Sequence, residues 1–389
     1  QETLAQLFGR MYQLRQNAAA NAGFANFRDY IFPAKYRFDY TPDDCERFHD
    51  AVERTVTPAV TRLLEQRRLR LELTALRPWD LSVDPYRASP LRPFATADEL
   101  MGTSRRVFDR VDGALGREFQ TMIDERLLDL DSRKGKAPGG YCETLHFRGR
   151  PFIFMNSVGL VDDVMTLLHE AGHSFHAFAA HPLPFIWQRH PGSEAAELAS
   201  MSMELLAGPH LTRPVGFFSD QDFRSAWLEH LEDVLLSLVH IASVDAFQTW
   251  IYTSGEGGDA GARDAAWLRI RARFERGVDW SGLEPERVAR WYRQLHIFMY
   301  PFYYIEYGIA QIGALQIWRN SLRDPVRAVA RYREALALGA VRGLPEIYRA
   351  AGASLSFDAA TIGELVSLVE EHIERLRADL PAAVAKERV

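Results

Sequence analysis

The sequence predicts a mainly α-helical protein with one small β-sheet set against a helix that carries metal-ligand chemistry. Three observations lead there. Apolar residues recur at helical spacing through most of the chain, between cap-type residues such as Thr41-Pro42, Ser193 and Asp324-Pro325. A single β-prone run, Pro151-Phe152-Ile153-Phe154-Met155-Asn156, follows a glycine-containing turn. The stretch Val161–His176 then holds His169-Glu170-x-x-His173, preceded by apolar residues at helical spacing.

Residues 1–40 read as helices broken at Gly23 and Pro33, with aromatics from Phe24 to Tyr40 as core. Thr41 is a cap and Pro42 a first helical residue, so a long amphipathic helix is expected to about Leu76. The basic run Arg67-Arg68-Leu69-Arg70 on that helix reads as a solvated face. Pro78-Trp79-Asp80-Leu81 reads as a packed turn, and residues 97–127 return to helix. Pro138-Gly139-Gly140-Tyr141-Cys142 is turn-like and then extended, which makes a hairpin with 151–156. Such a hairpin would show an edge strand to a cleft, where peptides add through main-chain hydrogen bonds. Gly139 and Gly140 would let a peptide backbone come close. Residues 219–253 read as one or two amphipathic helices in which His240 and Asp245 are structural. A glycine-rich turn at 255–261 leads to a helix over 265–275, and packing helices continue to Leu380. Pro381–Val389 reads as a frayed tail.

A chain of 389 residues can form one large domain or two closely joined lobes. The net charge of −6 gives no reason to expect nucleic acid or an anionic membrane as partner. No apolar run approaches a membrane span, and the first residues are polar rather than signal-like. Cys45 and Cys142 are the only cysteines, which points to free thiols in a reducing cytoplasm.

The chemistry centres on His169 and His173. On a helix these two imidazoles lie one turn apart on one face and can share an ion. Zinc accepts imidazole nitrogen, and a catalytic zinc takes three protein ligands and leaves one position for water. Glu170 is then placed to take a proton from that water. A second helix begins near Ser193 and ends at Gly208-Pro209, with Glu194, Glu197 and Glu204 on one face. Any of the three could be the third ligand on spacing alone. His176 could instead complete a three-histidine site, although the acidic helix argues against it. A metzincin would need Gly at 176 and His at 179, where this chain has His176 and Ala179.

His169-Glu170-x-Gly172-His173-x-x-His176, then Glu197-x-x-Ser200 and Glu204, resembles the M3 zinc metallopeptidases, within them the oligoendopeptidase F type. The resemblance implies a gluzincin-type fold with one zinc per chain, held by His169, His173 and Glu197. It implies that Glu204 or Asp163 orients the ligand histidines and that His176 is a neighbouring cleft residue. Further on, His296, Tyr300, Tyr303, Tyr304 and Tyr307 resemble the family's downstream His/Tyr motif, whose residues contact substrate and steady the transition state. Tyr300, Tyr304 and Tyr307 would share a face if one helix ran through, although Pro301 makes a start near Tyr300 the better reading. Tyr304, Tyr307 and His296 are the expected oxyanion donors, with Tyr300 and Tyr303 beside the substrate.

The expected organisation is a single catalytic region over 1–389: a helical lobe at 1–137, the sheet and metal helices at 138–210, and a second helical lobe at 211–389. A further N-terminal lobe, usual in the family, is expected to precede it. The expected function is a zinc-dependent endopeptidase of short unstructured peptides. The alternatives are a zinc carboxypeptidase on a related scaffold and a non-catalytic zinc or peptide-binding protein.

Overall fold

A computed structural model describes residues 2–87 and 89–380, so Pro381–Val389 lies outside the described residues. Helices dominate, and the strands form one three-stranded sheet in the order β1-β3-β2. β1 is Leu128–Asp131, β2 Tyr141–Leu145 and β3 Arg150–Ser157. The expected hairpin is present, with Cys142 opposite Ile153 and Leu145 opposite Arg150. The parallel partner β1 was not foreseen, because four residues, Leu-Asp-Leu-Asp, carry almost no strand signal. It pairs with the far side of β3, so β3 is central and β1 and β2 are the two edges.

The helix begun by Thr41 follows its signals. Thr41 Oγ1 accepts from the Asp44 N–H, and the Asp44 carboxylate accepts from the Thr41 N–H. The helix passes through a π segment at Val52–Val56 and stops at Arg70, short of Leu76. Glu72 takes a left-handed backbone (φ 55°), and the Leu73 N–H reaches back to Arg68 O at 3.1 Å, which closes the last turn. The basic run is not simply a solvated face. Arg67 donates to the carbonyls of Asp80, Leu81 and Val83, and Arg70 to that of Pro85, so they tie down the 78–85 turn. The expected helix over 97–127 is two, Ala97–Val111 and Gly113–Asp124, split at Asp112, whose carboxylate caps the second.

Residues 219–253 form one largely buried helix, Asp220–Thr253. Contrary to the expectation that no apolar run approaches a membrane span, one window of it is long and apolar enough to cross one, and 72% of that window is buried inside the protein. The two helices that carry the metal-site residues are Val161–Ala180, here the motif helix, and Ser193–Ala207, the acidic helix. They cross at Gly172, where a Cβ would stand 2.5 Å from Ser200 Cα and 2.7 Å from Ala199 O. Only glycine lets these backbones approach so closely. The helix Tyr304–Ser321 packs on the other side of the acidic helix, again at a glycine, Gly313, against Leu198 and Tyr348.

Candidate active site

The site is assembled at that helix crossing. His169 and His173 point their Nε2 atoms at Glu197 Oε2, 3.3 and 3.7 Å away, and the three ligand-type atoms lie within 4.8 Å of one another. Ligands on bonds of about 2 Å around a tetrahedral ion stand about 3.3 Å apart, so this donor set fits a divalent metal such as zinc. Ser200 Oγ donates to Glu197 Oε2 at 3.1 Å, which gives the E-x-x-S spacing a function in holding the carboxylate. Of the three acidic candidates, only Glu197 faces both histidines. Glu194 is turned to Tyr40, whose hydroxyl donates to it at 2.6 Å. Glu204 stands behind His169, with Oε1 2.6 Å from Nδ1, so it fixes which imidazole nitrogen faces the centre. His230, which sequence reasoning missed, lies 3.7 Å from the other oxygen of Glu204 and stacks on Trp227.

Asp163 does not share that duty. Its Oδ2 accepts from the N–H groups of Val158 and Leu160, each at 2.8 Å, and so it caps the motif helix from the first turn. His176 is buried on the wall of the same cleft, and neither ring nitrogen has a hydrogen-bond partner among the described residues.

The cleft has a volume of about 400 Å³. The edge strand β2 forms one wall, the motif helix the floor, and Tyr303 and Tyr307 the opposite wall. Gly140 lines it and packs against Thr166, where a Cβ would stand 3.2 Å from Cγ2. Gly139 is a turn residue with φ 99°, and its carbonyl accepts from Asn156 Nδ2 at 3.1 Å. The cleft continues past His190 and Pro191 into a larger hollow of about 1180 Å³.

The aromatic segment departs from the expected single stripe. A short helix, Leu295–Met299, ends at Tyr300; Phe302 takes φ 60°, and a new helix starts at Tyr304. This break resets the helical phase. Tyr303 and Tyr307 face the metal residues, and Tyr303 Oη donates to Glu197 Oε1 at 2.8 Å. Tyr304 turns the other way and donates to Gln294 Oε1 at 2.9 Å, against the ring of His240. Tyr300 is half exposed and lies off the cleft wall. His296 sits among the rings of all four tyrosines, with centroids 5.1 to 6.0 Å away.

Comparison with known proteins decides the family. A model of peptidase family M3 matches residues 1–366. The chain belongs to peptidase family M3. Oligopeptidase PepF of Bacillus subtilis (strain 168) is 24% identical over 326 residues, 80% of this chain and 46% of PepF. The chromosomal oligoendopeptidase F of Lactococcus lactis subsp. cremoris is 25% identical over 289 residues, 72% of this chain and 46% of that protein. A solved structure of PZ peptidase A with an inhibitor matches with a TM-score of 0.89 and 29% identity, over 96% of this chain and 66% of that one. The M3 chain thus spans about half the length of the curated relatives it matches. Its fold is the helical gluzincin type of these neighbours.

The electrostatics of this M3 site suit a cation. Burial lowers the His173 pKa to about 4, so it is a neutral imidazole at pH 7. Burial works against ionised Glu197, but hydrogen bonding to His169 and the charges of both histidines prevail and bring it down to about 2. For His169, burial is outweighed by Glu197 and Glu204, which hold its pKa well above the ordinary value; a bound cation would displace that proton. Burial raises Glu170 to about 7, against the pull of His169, while the backbone of Cys142 gives it a hydrogen bond. A carboxyl titrating near neutrality beside two imidazoles is suited to moving protons.

Proposed function

We propose that this chain is the catalytic region of a zinc-dependent endopeptidase acting on short, unstructured peptides. The observation that carries the proposal is the convergence of His169, His173 and Glu197 at ligand spacing, with Glu170 beside them. When bound, zinc would lower the pKa of a water toward neutrality and polarise the scissile carbonyl.

The chain's own residues do the rest. Edge strand β2 offers main-chain groups to an extended peptide, which explains binding with little demand on side-chain identity. Glu170 accepts a proton from the attacking water and delivers it to the departing amine. Tyr307 lines the cleft, its hydroxyl has no hydrogen-bond partner among the described residues, and it is the donor for the developing oxyanion. Tyr303 is engaged with Glu197 and holds the carboxylate instead, while His296 backs the tyrosines. Tyr304 is assigned to packing, because its hydroxyl belongs to Gln294. Both cysteines are free, in keeping with work in the cytoplasm.

Product mass spectrometry on an octapeptide tests the reaction class. Internal cuts are expected, with a compact folded protein left intact under the same conditions. Release of single residues from the C-terminus would replace this reading with a carboxypeptidase.

A further inference from the structure

The segment from Ala34 to Tyr40 brings charge to the back of the aromatic wall, in a cluster the proposed reaction does not use. Arg37 is buried and donates from Nη2 to the Phe302 carbonyl at 2.5 Å and to the Glu306 carboxylate. Lys35 Nζ reaches the same Glu306 oxygen at 2.7 Å and stands 5.0 Å from the centre of the Tyr303 ring. Glu194 completes the set, 3.6 Å from Arg37 Nε. The cluster is not fully satisfied: Arg37 Nε and Nη1 and Glu306 Oε2 make no hydrogen bond among the described residues.

Stability alone is a poor reason for such a cluster, since well-packed apolar residues often do as well as a buried ion network. Its placement suggests another. Phe302 holds a left-handed backbone that a bulky residue rarely adopts, and Arg37 grips the carbonyl of that residue. The next residue is Tyr303, whose carbonyl accepts from the Glu306 N–H at 2.9 Å and whose hydroxyl reaches Glu197. Glu197 divides its oxygens, Oε2 toward the histidines and Oε1 toward Tyr303.

We infer that Arg37, with Lys35 and Glu306, is a positioning device for Tyr303, and through Tyr303 for the Glu197 carboxylate. It holds the turn at Phe302 in the phase that aims the tyrosine hydroxyl at Oε1. This inference rests on the reading of Glu197 as the third ligand, and its effect is retention of the metal.

The test is a double-mutant cycle on the full chain, read as zinc affinity in competition with a chromophoric chelator. Arg37→Met and Tyr303→Phe are each expected to weaken zinc binding about tenfold or more, the usual effect of losing a group that orients a ligand. The double variant is expected to be no weaker than the worse single one, because both changes remove one hydroxyl contact. Additive losses, or unchanged affinity in Arg37→Met, would overturn the inference. If Arg37→Met does not fold, Lys35→Met takes its place in the cycle, its side chain being 22% exposed. Failure of the wild-type chain to bind zinc would instead sink the metal reading itself.

Discussion

Two regions supply the cleft by opposite means. The motif and acidic helices do it through regular geometry: unbroken turns, an i,i+4 pair, and a backbone crossing at Gly172. Residues 295–307 do it through a broken backbone whose phase depends on distant contacts from Arg37 and Lys35. The first region sets the spacing of its ligands by helix geometry alone. The second meets the first through the Tyr303 hydroxyl on Glu197 Oε1, so re-aiming its backbone changes the substrate wall and the hold on that carboxylate together.

The largest expected effect falls in the regular region. Glu170→Gln should lower kcat by about 10²–10⁴-fold while zinc content is unchanged, because it removes the proton carrier and no ligand. Activity of the Gln variant near that of wild type would mean another group moves the proton. In the irregular region, Tyr307→Phe should cost kcat about 10²–10³-fold, the usual loss for one oxyanion donor. Tyr304→Phe should stay within a few-fold of wild type. If the two variants exchange these outcomes, the phase set at Phe302 is wrong and one continuous tyrosine stripe is right.

Two smaller effects sharpen the contrast. Gly172→Ala forces a methyl group onto the acidic helix backbone and should cost about 1–3 kcal/mol in chemical denaturation, with weakened zinc binding alongside. The last effect is one of sign. In chelated protein, burial raises the Glu170 pKa from 4.5 to about 7, so the folded state holds this proton more tightly than the unfolded state does. Its contribution to stability is therefore greatest on the acid side and declines as pH rises from about 4.5 to about 7. Stability of wild type relative to Glu170→Gln should fall between pH 5 and pH 8; a rise would contradict the buried carboxyl.

The same contrast explains what could be read in the residues. The pairing of His169 with His173 was legible because helical spacing survives folding unchanged, whereas Glu197 stood out from its neighbours only through the resemblance of Glu197-x-x-Ser200 to a family motif. Glu194 and Glu204 shared their face on paper, and only packing sent one to Tyr40 and the other behind His169. Asp163 was misplaced because a first-turn aspartate serves equally as a cap, a local signal that outweighed proximity to the motif. Tyr304 was misplaced because a positive φ at Phe302 carries no sequence signature in a non-glycine residue. β1 and His230 left no trace at all, the first being too short and the second a lone histidine on a long buried helix.

The most direct measurement is cleavage of a quenched fluorescent octapeptide by the purified chain, before chelation, after it, and after zinc is returned. The account predicts internal cleavage that vanishes with the chelator and returns with one zinc per chain. Cleavage that survives complete chelation, or its absence from a chain carrying one zinc at His169, His173 and Glu197, would contradict it.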